Sequence, residues 1–283
     1  MSEMIYYDHA ATTPVHPRVV EAMVPYFTQV FGNPSSVHGF GRKARQAVEQ
    51  AREEIAGLLE AEPKSLIFTS GGTEADNMAI IGTAMALQEK GRHLITSQVE
   101  HHAVLHACQH LQERGFDVTF LPVDETGMVR LADLEAAIRP DTTLVSIMYG
   151  NNEVGTIQPI AEIGAFLRER GILFHTDAVQ AFGVLPLCIR DLPIDMMSVS
   201  AHKINGPKGV GALYLRPGFP FTPLLHGGNQ ERKRRARKIW PVSSGLPKRR
   251  RLPPANGRNA RKSTGRSGMH CLPPGRGKES ASR

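Results

Sequence analysis

Apolar and polar residues follow two different periods along about the first 220 residues of this chain. Short runs rich in β-branched and aromatic residues are separated by longer stretches in which apolar residues recur every three or four positions. The clearest helical stretch is Arg42–Glu60, where an apolar face lies opposite Arg, Glu and Gln. This alternation predicts an α/β fold with a mostly parallel sheet covered by helices.

We predict strands at seven places and, besides Arg42–Glu60, helices that begin near Pro17, Thr73, Ala103, Leu131 and Ile160. The predicted strands are Leu66–Thr69, His93–Ser97, Val118–Val123, Leu144–Met148, Leu173–Thr176, Met196–Ser200 and Gly211–Leu215. No apolar run approaches the roughly 18 residues that a membrane span needs. The N-terminus has no signal-peptide pattern. We therefore expect a cytoplasmic protein with no membrane partner.

Charge is distributed unevenly along the chain. The net charge is +7, but residues 237–283 hold 13 Lys and Arg and only one acidic residue, so residues 1–236 carry a net charge of −5. The basic segment is rich in Pro, Gly, Ser and Arg and has neither a helical nor a strand period, which predicts disorder. We expect one folded domain over residues 1–236, followed by a basic tail. The three cysteines lack metal-ligand spacing, so we expect neither a disulfide nor a metal.

Lys203 and Asp177 follow two of the predicted strands. A partly buried lysine at a strand end has a lowered pKa, and its amine can then attack a carbonyl group. A carboxylate such as Asp177 can pair with a protonated pyridine nitrogen. Taken singly, each residue also fits a simpler interpretation: a surface lysine in a turn, and an aspartate that caps a helix.

Three further polar clusters follow predicted strands. Thr69–Ala75 passes through two glycines into a helix, an arrangement that can bind phosphate although a plain tight turn also explains it. The other clusters are Glu100–His102 and Gly150–Gly155. Ligands of open α/β sheets bind at the carboxyl ends of strands, so all five clusters should converge on one crevice. We expect no metal at His101 and His102, because adjacent histidines point apart.

Together these segments resemble cysteine desulfurases, which belong to the class V aminotransferase group of fold-type I pyridoxal-phosphate enzymes. The resemblance runs in order from Ile5 to about Ala236 and implies the large domain of that fold, a seven-stranded, mostly parallel sheet with helices on both faces. The segments that carry it are Tyr7–Pro14, Gly32–His38, Gly72–Ala75, Glu100–Val104, Asn151–Gly155, His175–Gln180 and Ser200–Lys203.

The resemblance implies pyridoxal 5'-phosphate as cofactor and a role for each of nine residues. Lys203 would hold the cofactor as a Schiff base and later move the substrate proton, and His101 would stack on the pyridine ring. Asp177 would hold the ring nitrogen and Gln180 the phenolic oxygen. Asn152 would contact the cofactor or the substrate. The phosphate would be held by Gly72, Thr73, Ser200 and His202.

The same resemblance implies a reaction and partners. L-cysteine would be converted to L-alanine, leaving a persulfide on an enzyme cysteine, and the sulfur would pass to a scaffold protein for iron–sulfur clusters or to a tRNA thiolase. A homodimer is implied as well. Two alternatives stay open: another class V aminotransferase, or an inactive protein that only binds the cofactor. We do not expect the basic tail to bind nucleic acid.

The resemblance stops just after Ala236. When Arg237–Arg250 is written in one set of permitted codons, preceded by a supplied A and read in the frame that begins at that A, it gives Thr-Glu-Asn-Met-Ala-Gly-Ile-Val-Gly-Leu-Ala-Lys-Ala-Ala, the kind of helix start that the family has there. Our hypothesis is a single-nucleotide frameshift, with the C-terminal small domain and its persulfide-forming cysteine missing. Cys108 and Cys188 are predicted core residues and Cys271 lies in the tail, so we expect no turnover of L-cysteine.

Overall fold

In a computed structural model of the chain, the described residues are 4–227 and Glu231, and all of them lie in one compact unit. The expectations for the tail, for the frameshift and for Cys271 fall outside these residues.

The described chain alternates helices with strands. The helices are α1 (Pro17–Met23), α2 (Pro25–Thr28), α3 (Gly39–Leu59), α4 (Gly72–Leu87), α5 (His102–Gln112), α6 (Leu131–Ala137) and α7 (Ile160–Glu169). The strands are β1 (Leu66–Thr69), β2 (His93–Ser97), β3 (Asp117–Leu121), β4 (Thr142–Ser146), β5 (Leu173–Asp177), β6 (Met196–Ser200) and β7 (Gly211–Leu215). Single 3-10 turns cover Pro63–Ser65 and Ala201–Lys203.

These strands form one sheet in the order β1-β7-β6-β5-β4-β2-β3. β7 runs antiparallel to both of its neighbours, and the other pairs are parallel. The predicted mostly parallel sheet is therefore confirmed. Its parallel strands end on the same edge, so the segments that follow β2, β4, β5 and β6 all meet there.

Two strands end two residues earlier than predicted, each because another contact replaces the strand pairing. After β3 the chain leaves the sheet, and Val123 pairs instead with Val129 in an isolated bridge. After β4 the backbone N–H of Met148 donates to the Glu100 side chain at 2.9 Å. The Glu100 carboxyl group thus accepts the hydrogen bond that a neighbouring strand would otherwise accept, and the pairing of β4 ends there. The short helix α2 was not predicted; it begins at Pro25, a residue type well suited to the first helical position.

Two hydrophobic clusters cover the two faces of the sheet. Val48 and Ile55 of α3 and Ile163 of α7 belong to the first cluster, with Phe174 of β5. The helices α4 and α5 supply the second, which includes Met78. His175, the next residue of β5, must face α4, because successive strand residues point to opposite faces.

Among the described helices, none has both the length and the apolar character needed to cross a bilayer.

A buried ion pair joins α3 to Glu231. The Arg52 guanidinium lies 2.8 Å from the Glu231 carboxylate, and both side chains are inaccessible to solvent. Arg52 also donates to the Leu66 carbonyl oxygen at 2.6 Å, and the Phe68 backbone N–H donates to Glu231 at 2.9 Å. The carboxylate therefore neutralises a buried cation and caps the free side of β1.

Replacing Arg52 should expose how strongly this pair holds the domain together. Arg52→Met keeps much of the stem but leaves the Glu231 charge buried and unpaired, so we expect a loss of about 3–5 kcal/mol in the free energy of unfolding. Lys64→Ala is the matched control, because its pair with Glu62 is exposed and such pairs contribute about 0–1 kcal/mol. Urea denaturation measures both, and equal losses would contradict the prediction.

Candidate active site

The polar segments at the carboxyl edge of the sheet surround one cavity of about 140 Å³. All nine residues singled out from the sequence line it: Gly72, Thr73, His101, Asn152, Asp177, Gln180, Ser200, His202 and Lys203. It is lined as well by Ala11, Asp76, Met148, Gly150 and Val179. The predicted convergence on one crevice is thus observed. A larger cavity, of about 460 Å³, lies at the other end of β1 around Lys64 and Arg216 and includes none of the nine.

The N-terminus of α4 forms one wall of the cavity. Gly71 has φ 156° and ψ −176°, a combination essentially confined to glycine. A Cβ atom on Gly72 would lie 2.8 Å from the Val179 side chain, so this wall has no room for a larger residue. The Ser200 hydroxyl is buried beside it and has no hydrogen-bond partner within the described part of the chain. Free amides and an unpartnered hydroxyl therefore meet at this corner.

An adjoining cavity of about 380 Å³ opens from the same corner. It shares Gly72, Thr73, Ser200 and His202 with the first cavity and adds Lys208. This corner is suited to an anion, because a helix N-terminus and a lysine both bring positive charge to it.

The N-terminal segment closes the opposite side. The Thr13 hydroxyl donates to the His202 carbonyl oxygen at 2.7 Å, and it accepts from the Asn205 backbone N–H at 2.7 Å. Asn205 has a φ of 59°, a left-handed conformation that asparagine tolerates better than most residues. These bonds fix the loop that follows β6, and with it the position of Lys203.

Lys203 points into this enclosed space. Its Nζ donates to the Ala10 carbonyl oxygen, which also accepts from the Gln180 amide at 3.0 Å. Burial lowers the pKa of Lys203, while Asp177, Asp8 and Glu153 oppose the shift. A larger fraction of its amine is therefore neutral than in a lysine exposed to water, as a nucleophile or a general base requires.

Asp177 ends β5 at the floor of the cavity. Burial raises the pKa of its carboxyl group to about 6, while a hydrogen bond from the Val179 backbone N–H and the charge of Lys203 act in the opposite direction. The Val179 N–H lies 2.9 Å from Asp177 Oδ1. Asp177 therefore caps the turn that follows β5, which agrees with the simpler interpretation of a capping aspartate. It also presents a carboxylate to the cavity near neutral pH.

His101 and Asn152 stand at the rim. His101 caps α5, because its Nδ1 accepts from the Ala103 backbone N–H at 3.1 Å, and this bond fixes the ring. Burial lowers its pKa, and the neighbouring charges of His102, Lys203 and His106 add to the effect, so the ring is neutral. Asn152 donates to Glu153 at 2.5 Å.

No cluster of three or more potential metal ligands occurs within residues 4–227 or at Glu231.

Sequence reasoning assigned no role to Asp76, Glu100 and His175. Asp76 follows Gly72 by four positions on α4, so helical spacing already put the two on one face. Glu100 is 6% exposed and accepts from Ser97 Oγ at 2.6 Å as well as from Met148. It thereby joins the ends of β2 and β4 directly beside His101. His175 is fully buried, two positions before Asp177.

The two cysteines of the described chain are both buried. Cys108 lies inside α5, and burial raises the pKa of its thiol to about 12. Cys188 is 8% exposed. Since the thiolate is the reactive form, Cys108 is a core residue, as its place in the sequence predicted.

Comparison with known proteins fits this geometry. A family model described as aminotransferase class V matches residues 5–242. The chain belongs to the class V aminotransferase family. Members of this family depend on pyridoxal phosphate. Among solved structures, one described as "SspA in complex with cysteine" is 44% identical and superposes with a TM-score of 0.87, over 90% of this chain and 74% of that one. A NifS-like protein is 42% identical, with a TM-score of 0.85, over 87% and 69%.

Curated relatives of this member of the class V aminotransferase family include cysteine desulfurases. The putative cysteine desulfurase IscS 1 of Bacillus subtilis (strain 168) is 57% identical over 234 residues, which make up 83% of this chain and 62% of that protein. Cysteine desulfurase IscS of Methanosarcina thermophila is 56% identical over 235 residues, or 83% and 58%. The chain thus spans about three fifths of the length of these relatives.

Glu100 should give the domain a distinctive pH dependence. Burial raises its pKa to about 8 from the ordinary value of 4.5, so folding favours its protonated form. The stability it contributes is fully present below pH 4.5 and is lost as the pH rises through 8. Glu100→Gln keeps the acceptor oxygen and stays neutral. We expect its unfolding free energy, relative to that of the original chain, to rise between pH 5 and pH 9 by a few kcal/mol.

Urea denaturation of both proteins across this pH range measures the difference. Glu113→Gln, on the surface just after α5, is a control that should show no such trend. A Glu100→Gln variant that gains nothing between the two pH values would contradict the prediction.

Proposed function

We propose that this chain binds pyridoxal phosphate in the cavity at the carboxyl edge of the sheet, and that the site is built to remove sulfur from L-cysteine. The observation that carries the proposal is the enclosure of Lys203 and Asp177 in one cavity with the N-terminus of α4. The similarity to cysteine desulfurases and to a structure that contains cysteine supports the choice of substrate.

The phosphate group fits the corner at Gly72. Ser200 Oγ is buried there without a partner, which would be costly unless a ligand oxygen completed its hydrogen bonding. The backbone amides of Gly72 and Thr73 open the helix, and His202 lines the same wall. We assign these four residues to the phosphate.

The pyridine ring would then lie over Asp177. A buried carboxylate keeps the ring nitrogen protonated, and Gln180 can donate to the phenolic oxygen. The ring of His101, fixed at the rim by its bond to Ala103, would stack against the exposed face. When bound, pyridoxal phosphate supplies an electron sink that stabilises negative charge at the substrate α-carbon.

Lys203 serves twice in this proposal. Its amine would hold the cofactor covalently, and it would also take and return a proton at the substrate, roles that the lowered pKa of the side chain supports. Asn152, on the rim, contacts the substrate or the cofactor. In the overall reaction the Cβ–S bond of cysteine breaks, a thiol takes the sulfur to form an S–S bond, and the carbon skeleton leaves as alanine.

The sulfur-accepting thiol is absent from the described site. Cys108 and Cys188 are buried and do not line the cavity. This observation favours the second candidate function, a protein that binds the cofactor without completing the reaction.

The proposal also includes partners and a setting: a homodimer, the cytoplasm, and a sulfur acceptor that serves iron–sulfur clusters or tRNA thiolation. Exposed Phe27, Phe31 and Phe40 offer apolar surface for a second copy.

Cofactor binding can be tested by absorption. Added pyridoxal phosphate should give the 283-residue chain a visible band, and borohydride reduction followed by peptide mass spectrometry should locate the label on Lys203. Lys203→Ala should lose both signals, because no other amine lies at this position. Lys64→Ala, an exposed lysine at the other end of the sheet, is the control and should keep them. Equal labelling of many lysines would overturn the proposed site.

Turnover can be tested separately. With L-cysteine and pyridoxal phosphate, we expect the 283-residue chain to release no detectable alanine, because neither described thiol can reach the substrate. Chromatography of the products measures alanine, and Lys203→Ala defines the background. Alanine release that depends on Lys203 would contradict this expectation. Transfer of the amino group to an added 2-oxo acid would instead indicate an aminotransferase.

A further inference from the structure

Beneath the cavity lies a row of buried polar side chains that the proposed reaction does not use. His175 sits at its centre, between serines on the two neighbouring strands. Its Nδ1 lies 2.8 Å from Ser146 Oγ of β4, and its Nε2 lies 3.0 Å from Ser198 Oγ of β6. Burial lowers the pKa of His175 to about 3, so the imidazole is neutral.

Asp76 reaches this row from α4. Its side chain is 1% exposed, and its Oδ1 lies 3.7 Å from His175 Nε2. That oxygen has no hydrogen-bond partner within the described chain, although Asp76 lines the cavity. An ionised carboxylate in such a position would lose its hydration without an equivalent replacement.

The groups that face Asp76 offer no compensating charge. From β5 it meets Asp177 and the neutral His175, from β6 the Ser198 hydroxyl, and from the segment after β2 Glu100. Burial is the main cause that raises the pKa of Asp76, followed by the charge of Asp177, while a hydrogen bond with Ser198 acts in the opposite direction. The nearby cation, Lys203, acts on Asp177. Two like charges that interact in a buried site without a compensating cation at each are unfavourable, so one carboxyl group keeps its proton.

We propose that Asp76 is a neutral carboxylic acid that positions the floor of the site and leaves Asp177 as the charged carboxylate. Its O–H would donate to Ser198, whose hydroxyl donates to His175 Nε2, while His175 Nδ1–H donates to Ser146. The inference rests on the proposed function in one respect, that Asp177 faces the pyridine nitrogen. A charged Asp76 would repel Asp177 and weaken its hold on that nitrogen. Asp76 is thus a positioning residue.

Infrared spectroscopy of the cofactor-free, full 283-residue chain tests the protonation directly. The difference between the original protein and Asp76→Asn at pH 7 should contain the carbonyl band of a protonated carboxylic acid. Glu100→Gln is the positive control, because the pKa of Glu100 is about 8. Asp177→Asn at pH 8 should show a carboxylate loss instead, because its pKa is about 6. A carboxylate band in the Asp76→Asn difference would overturn the inference.

Cofactor affinity tests the positioning role. Asp76→Ala should weaken pyridoxal phosphate binding about tenfold, because Ser198 and His175 lose the group that orders them. Asp76→Asn should restore the affinity to within about threefold, since an amide also donates a hydrogen bond. Thr83→Val is the control: it is buried on the same helix, bonds to Met196, and lies outside the cavity.

The two measurements separate the possible failures. If Asp76→Asn binds as poorly as Asp76→Ala, a charge at Asp76 is required and the positioning role is wrong. If the original chain binds no cofactor, the proposed function fails, and the infrared result still decides the protonation state of Asp76. The infrared measurement also covers the case in which Asp76→Ala does not fold.

Discussion

Water is excluded from the floor of this cavity, so each ionisable group there either finds a partner inside the protein or gives up its charge. Glu100 and His175 give up theirs, as their shifted pKa values of about 8 and about 3 show. Asp177 and Lys203 instead stabilise each other's charged forms. The parallel sheet creates this situation, because it buries its strands on both faces while directing polar residues to one edge.

Much of the fold followed from periodicity. Four strands have the bounds predicted for them, and the helix predicted as Arg42–Glu60 is observed as Gly39–Leu59. One error arose where a contact distant in sequence replaced the pairing between strands. β4 ends at Ser146 because the Glu100 side chain accepts the backbone N–H of Met148, and no local pattern around Leu144–Met148 contains that information. The antiparallel direction of β7 is likewise set by its neighbours.

The site was predictable where a chemical group stands at the end of a strand. The nine residues were found because strand ends meet on one edge and because their motifs resemble those of a known family. Asp76 lacked both signals: it lies one turn inside a helix, and only its four-residue spacing from Gly72 pointed toward the site. Its significance depends on the distance to His175, which follows from packing between a helix and a sheet.

The bond between Thr13 and His202 joins residues 189 positions apart. A ribosome makes the N-terminal segment first, so this segment has no docking surface until almost the whole domain has emerged. Closing so long a loop also costs entropy that only late contacts repay. The lysine pocket is therefore complete only when residues from both ends of this span are in place, and Met4, Ile5 and Tyr7, exposed even in the folded domain, lie next to the segment that has to wait. A fusion at the N-terminus is attached close to the segment that completes the site.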